Sequence, residues 1–248
     1  MESRPGSIDP EEIEHFSAFA QGWWDPRGAM APLHRMNPAR LAFLRATLER
    51  HFGRDRRSLK PFSGLRLVDI GCGGGLVAEP MARLGFGVTG LDAAEANLEV
   101  ARAHAETGGL QIGYRSATIE TLAEAKEQFD AVLALEVVEH VADVDGFLAA
   151  VATVVRPGGI LIASTINRTP KSFLFAIVGA EYVLRWLPRG THRWDRFVRP
   201  SELAAGLRRH GLTLQELRGF APPMAGGDWH LVPDLSVNYF AVASRPSR

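Results

Sequence analysis

Glu136, Glu139 and His140 stand at i, i+3 and i+4. In a helical turn that spacing puts two carboxylates and an imidazole on one face. Such a set could hold a divalent cation with positions open to substrate oxygens. A bound cation would stabilise a phenolate, whose parent phenol has a pKa of about 10. His140 alone suits a general base equally well, because imidazole titrates near neutral pH. A third reading is structural, with His140 bonding a neighbouring loop. Upstream, Gly71-Cys72-Gly73-Gly74-Gly75 packs four glycines into five residues. Glycine tolerates positive φ and, lacking a Cβ, lets a ligand lie against the backbone. Asp92 follows about 20 residues after the first of these glycines, the spacing at which a carboxylate reaches ribose hydroxyls.

The ligand class follows from what this loop lacks. A dinucleotide loop reads G-x-G-x-x-G, and Leu76 takes the place of its last glycine. No Gly-Lys-Ser/Thr follows, so it is not a Walker A loop. A glycine loop without phosphate-binding features, paired with a ribose acid, fits a nucleoside without phosphates. S-adenosylmethionine is the common one. Asp69-x-Gly71-x-Gly73-x-Gly75 followed by Asp92 resembles the class I methyltransferase signature, and Gly71, Gly73 and Asp92 are its candidate cofactor contacts. Arg40 reads either as a surface charge or as the basic side chain wanted to pair with the methionine carboxylate.

The elements that must position these residues alternate. Leu65–Ile70, Gly87–Leu91, Ile112–Ser116, Phe129–Leu135 and Ile160–Ser164 read as buried strands. Leu76–Leu84, Glu95–Thr107, Ile119–Glu127 and Asp145–Val155 read as the helices between them. Ser201–His210 is a further helix, with Leu214–Gly219 and Asn238–Ser244 as closing strands. The pattern predicts an α/β fold with a doubly wound, mostly parallel seven-stranded sheet. Its ligand site lies at the carboxyl ends of the strands, where the glycine loop, Asp92 and the segment after Leu135 converge. Ahead of it, residues 1–63 form a helical cap and linker. Pro10–Ala20 is one helix, with Asp9 as N-cap. A second runs from Pro38 to about Phe52, with Asn37 as N-cap. Residues 64–248 form the core.

Composition bounds the rest. The chain has 248 residues, 46% of them hydrophobic and 23% charged, with zero formal net charge. Nothing global steers it to nucleic acid. The single cysteine, Cys72, excludes an intramolecular disulfide and suits a reducing compartment. It reads as a small loop residue rather than a nucleophile. No apolar run approaches the roughly 20 residues of a membrane span. An acidic N-terminus argues against a signal or transit peptide. A bacterial cytoplasmic protein is the simplest expectation.

Residues 167–199 interrupt the core after the fifth strand, a length at which function is the default. Phe173–Ala180, Tyr182 and Trp186 are embedded among seven basic residues from Arg168 to Arg199, against only Glu181 and Asp195. This suits an interfacial helix on anionic lipid, a lid over a greasy substrate, or a plain buried helix pair. Trp23 and Trp24 read most simply as core aromatics.

Trp23-Trp24-Asp25-Pro26, Pro32–Arg40, Asp69–Gly75, Glu136–Val141, Asn167-Arg168, Val178–Tyr182 and Pro188–His192 together resemble the ubiquinone-biosynthesis O-methyltransferase family, over about Ile13 to Ala243. The resemblance implies two O-methylations, on a 2-polyprenyl-6-hydroxyphenol and on 3-demethylubiquinol. It implies cofactor contacts at Arg40, Gly71, Asp92 and Leu135, the last packing on adenine where a relative has Met. Glu136, Glu139 and His140 match magnesium ligands proposed for eukaryotic relatives. The insert matches a segment linked to membrane association, which implies a protein peripheral to the cytoplasmic face of the inner membrane. Its partners would be anionic lipid, the polyprenylated substrate and other ubiquinone-biosynthesis enzymes. Two other functions stand beside this one. The chain could methylate a different small acceptor, or bind cofactor at a membrane surface without catalysis.

Overall fold

The computed structural model describes residues 20–174, 194–222 and 228–247. The expected helix at residues 10–20 therefore lies outside the described residues except for Ala20, and so does 175–193 of the expected insert. The described chain opens with a single turn at Ala20–Gly22 and then α1 (Ala31–Phe52). The alternating core follows as β1 (Arg66–Ile70), α2 (Ala78–Arg83), β2 (Gly87–Asp92), α3 (Glu95–Thr107), β3 (Gly113–Ser116) and α4 (Ile119–Glu124). It continues through β4 (Phe129–Leu135), α5 (Val144–Val154) and β5 (Val155–Ile166). The closing part is α6 (Pro200–Arg209), β6 (Thr213–Ala221), β7 (His230–Val232) and β8 (Asn238–Ser244).

The strands make one sheet in the order β3-β2-β1-β4-β5-β8-β6-β7. The first five are mutually parallel, and β8 runs antiparallel between β5 and β6. Strand order reverses between β1 and β4, so the crevice beyond their carboxyl ends is the ligand position of a doubly wound sheet. The expected fold class holds, with one more strand than the seven anticipated. That strand, β7, spans three residues and pairs antiparallel with Gly219–Ala221 of β6. Three residues are too few to show a period of two.

Burial on both faces explains the apolar strand sequences. Every residue of β4 is buried. Val132 and Ala134 face a cluster with Phe147, Leu148 and Val151 of α5 and Leu203 and Leu207 of α6. Ala131, Leu133 and Leu135 face the other cluster, with Phe43, Leu44 and Leu48 of α1 and Leu98 of α3. Each fully buried Leu or Phe contributes about 1.5–3 kcal/mol relative to leaving it exposed. Helix α1 thus covers one sheet face and carries Arg40 over the crevice.

Several boundaries differ from expectation. Helix α1 starts seven residues early, at Ala31, and keeps Pro38 inside it. Asn37 is therefore not a cap, and its Nδ2 donates to Leu76 O at 3.0 Å, tying the helix to the glycine loop. Helix α4 ends at Glu124, and Lys126 adopts a φ of 56° just beyond it. The expected turn Arg156-Pro-Gly-Gly159 is absorbed into β5, where Gly158 N donates to Arg245 O and Arg245 N to Gly159 O.

Candidate active site

The glycine loop leaves β1 and enters α2 through three left-handed residues, Gly71, Gly73 and Gly75, with φ of 66°, 51° and 88°. Only glycine adopts these values without strain. Neighbours crowd the same loop closely. A Cβ on Gly71 would lie 2.7 Å from Val137 Cγ2, and one on Gly75 would lie 2.4 Å from the Tyr114 hydroxyl. Cys72 is buried, and burial raises its thiol well above the ordinary range, which fits a space-filling loop residue rather than a nucleophile.

Asp92 ends β2 and faces the loop. Its Oδ2 accepts Gly73 N–H at 2.9 Å, and its Oδ1 accepts Ala94 N–H at 2.9 Å and Asn97 Nδ2 at 3.2 Å. Burial raises its pKa, and the three donors oppose that rise. The loop and the acid expected to hold the ribose are therefore hydrogen-bonded to each other.

Arg40 and Asp69 act on each other electrostatically, and Asp69 also feels Asp92. Arg40 is 5% exposed, and its Nη2 meets Met36 Sδ at 3.2 Å. Its Nε and the Asp69 Oδ2 are buried without a hydrogen-bond partner. Burial pushes the Asp69 pKa up to about 7; Arg40 opposes the rise and Asp92 adds to it. Burial lowers the Arg40 pKa, offset by the negative charges of Glu136 and Asp69. A buried donor and a buried acceptor left unpaired each carry a desolvation cost of about 1–3 kcal/mol. An amino acid's carboxylate and ammonium are the groups that would relieve both. The loop, Asp92, Arg40 and Asp69 thus fit an aminoacyl nucleoside such as S-adenosylmethionine. Leu135, buried at the end of β4, offers an apolar surface on the same crevice.

The segment after β4 departs from the expected helical face. Glu136 takes a φ of 55°, unusual for a residue with a side chain and costing on the order of 1–3 kcal/mol. Its N–H donates to Ser164 O at 3.0 Å, and Ser164 Oγ donates to its Oε1 at 2.5 Å. The helical turn begins only at Val138 and is a 3-10 turn ending at His140. Glu139 is buried, and its Oε2 accepts Thr165 Oγ1 at 2.7 Å. Burial and the neighbouring Glu136 raise its pKa, and His140 opposes them. Glu136 is thus held at the strand end by β5, outside the turn, while Glu139 points inward. Among the described residues, no group of three or more His, Cys, Asp and Glu side chains is arranged to hold a metal ion. The magnesium set expected at Glu136, Glu139 and His140 does not share one helical face, because the turn starts only at Val138 and Glu136 stands before it in a left-handed conformation. His140 remains half-buried at the edge of the crevice.

Three residues without a role in the sequence reading belong to this site. Asn97 and Tyr114 come from α3 and β3, and Trp23 from the segment before α1. Only Trp23 left a signal, in its pairing with Trp24.

The Methyltransferase domain family matches residues 68–163. A ubiquinone biosynthesis O-methyltransferase of Azorhizobium caulinodans is 56% identical, over 95% of this chain and 93% of its own. Those of Ruegeria pomeroyi and Dinoroseobacter shibae are 53% and 52% identical, over 99% and 100% of this chain and 100% of each of theirs. Among solved structures, magnesium protoporphyrin IX methyltransferase from Synechocystis with bound S-adenosylhomocysteine superposes at a TM-score of 0.65 over 94% of each chain, at 17% identity. A possible histamine N-methyltransferase from Thermotoga maritima superposes equally well, at 18% identity over 94% of this chain and 99% of its own. At these identities the two structures speak for the fold alone.

Proposed function

The chain belongs to the ubiquinone biosynthesis O-methyltransferase family, and from that membership we propose how its own residues carry the reaction. It is an S-adenosylmethionine-dependent O-methyltransferase of ubiquinone biosynthesis, acting on a polyprenylated phenol or quinol. Identity above 50% over nearly the whole of both chains is the observation that carries this activity. The finer substrates we propose are 2-polyprenyl-6-hydroxyphenol and 3-demethylubiquinol.

When bound, S-adenosylmethionine would supply a sulfonium methyl group, whose carbon the phenolic oxygen would attack in line as the carbon–sulfur bond breaks and S-adenosylhomocysteine leaves. Arg40 pairs with the methionine carboxylate, and Asp69 with its ammonium. Asp92 receives the ribose hydroxyls, Gly71 and Gly73 let the backbone approach, and Leu135 packs on the adenine. His140 takes the phenolic proton, so that the attacking oxygen is a phenolate. Alignment of oxygen, methyl and sulfur supplies most of the acceleration. The buried, unpartnered Arg40 Nε and Asp69 Oδ2 support the cofactor end of this reading.

Residues 1–63 act as a cap on a core of residues 64–248, a division supported by the bonds from Trp24 and Asn37 into the glycine loop. Residues 167–199 meet the substrate and an anionic membrane surface. Phe173, Leu174 and Trp194, exposed on either side of the undescribed stretch, support that role. Among the described residues no helix is long and apolar enough to cross a membrane. Docking to other ubiquinone-biosynthesis enzymes on that surface completes the proposal. Sedimentation with anionic liposomes tests the membrane part; deleting Ser172–Tyr182 releases the folded protein, and retained binding overturns it. Methyl transfer to a short-tailed polyprenyl catechol tests the activity.

A further inference from the structure

Asn97 Oδ1 accepts the indole N–H of Trp23 at 2.8 Å across 74 positions of sequence. The Asn97 amide is thereby fixed. With its oxygen committed to the indole, its Nδ2 is turned to Asp92 Oδ1, at 3.2 Å. Asn97 is 1% exposed, so no solvent replaces either partner. Asp92 in turn holds Gly73 N–H on its other oxygen. A continuous chain of donors thus runs from the segment ahead of α1, through α3, to the carboxylate assigned to the ribose.

The same indole lies flat along the glycine loop. A Cβ on Gly73 would sit 2.3 Å from Trp23 Cη2 and Cζ2, and one on Gly74 would sit 2.4 Å from Trp23 Cβ. Two further contacts hold the segment in place. Trp24 Nε1 donates to Gly74 O at 2.9 Å, and its ring stacks on His104 at 3.4 Å between centroids. A purely structural tryptophan needs neither a polar partner bonded to Asp92 nor a glycine surface to lie on.

We propose that Trp23 and Asn97 are positioning residues of the cofactor site, Trp23 fixing the Asn97 amide and Asn97 fixing the Asp92 carboxylate for the ribose. The proposal rests on the cofactor reading above and goes beyond it, because it makes the segment before α1 part of the binding machinery. Without the indole N–H, the Asn97 oxygen is buried and unpaired. It regains a donor only by turning, and that turn takes Nδ2 off Asp92.

Trp23→Phe keeps a ring on the loop and removes only the donor. Calorimetric titration of the full-length protein with S-adenosylhomocysteine reads the effect without any methyl acceptor. Trp23→Phe raises Kd roughly five- to 150-fold, the range expected for a buried amide oxygen left unpaired. KM for S-adenosylmethionine rises in step, while KM for the phenol stays put. In an Asp92→Ala background Trp23→Phe adds no further loss, because the chain already ends short of the ribose. Gly74 has no positive φ, so Gly74→Ala tests only the displacement of Trp23, and it weakens binding as well. Wild-type affinity in Trp23→Phe and Gly74→Ala, or the same loss with and without Asp92, overturns the proposal. If the wild-type chain itself does not bind S-adenosylhomocysteine, the cofactor reading falls and the proposal with it.

Discussion

Gly73 donates its backbone N–H to the Asp92 carboxylate at 2.9 Å, which joins the end of β1 to the end of β2 through the two groups proposed to share one nucleoside. Loop and acid are therefore held as one unit. Removing the carboxylate affects both, because Asp92 also holds Ala94 N–H and the Asn97 amide.

Asp92→Ala is expected to weaken S-adenosylhomocysteine binding by at least tenfold and to lower thermal stability as well, since three donors lose their acceptor. Asp92→Asn keeps the size and loses the charge, and it should fall between wild type and alanine. Isothermal titration and a melting curve on the three proteins check this. Unchanged affinity in Asp92→Ala overturns the ribose assignment.

Asp69 gives the chain a pH-dependent stability whose sign is fixed by burial. Its carboxyl ionises at an ordinary 3.8 when unfolded and at about 7 when folded. Between those values the folded state holds a proton that the unfolded state has lost. The contribution is therefore fully present below pH about 4 and declines as pH rises to about 7. Asp69→Asn should flatten that decline, whatever it does to the absolute level by leaving Arg40 without its neighbour. Urea midpoints across this range check the slope, and the same slope in both proteins contradicts the account. Because a ligand ammonium favours the ionised form, S-adenosylhomocysteine should bind more tightly as pH rises from 6 to 8, and Asp69→Asn should lose that trend.

His140→Ala is expected to lower kcat for phenol methylation by about 10²–10⁴-fold, the usual range for a lost general base. Cofactor affinity should stay within about twofold, because the role proposed for His140 is toward the phenol and not the cofactor. A more alkaline reaction should recover part of the rate as the phenol ionises by itself. Wild-type turnover in this variant removes His140 from the chemistry.

Glu139 distinguishes a metal ligand from an internal support. Its carboxylate accepts from Thr165 and sits inside the fold, so Thr165→Val should cost stability by leaving it unpaired, about 1–3 kcal/mol. Turnover should survive chelation. Loss of turnover in chelator that magnesium restores would contradict this placement and return Glu136, Glu139 and His140 to an ion site.

The sequence made the sheet legible because burial on both faces leaves apolar runs such as Ala131–Leu135, and because only glycine fits the left-handed positions of the loop between β1 and α2. Asp92 was legible for the same reason, since its spacing from the loop is set by one βαβ unit. Strand β7 was not, being too short to carry a period. The early start of α1 was hidden by Pro38, whose local signal for a helix start is overridden by packing of Phe43, Leu44 and Leu48 on the sheet. Asn97 and Tyr114 were illegible as site residues because they look like ordinary members of a helix and a strand. Their roles come from partners 5 to 74 positions away. Spacing alone does not reveal the local backbone at Glu136, Glu139 and His140, where a left-handed Glu136 and a 3-10 turn stand in place of an α-helical turn.

The most direct test of the account is methyl transfer itself. Purified protein is incubated with methyl-labelled S-adenosylmethionine and a short-tailed polyprenyl catechol, and the products are separated and identified. The account predicts label in a phenolic methyl ether, formed in step with S-adenosylhomocysteine. Intact S-adenosylhomocysteine binding with no labelled ether would contradict it.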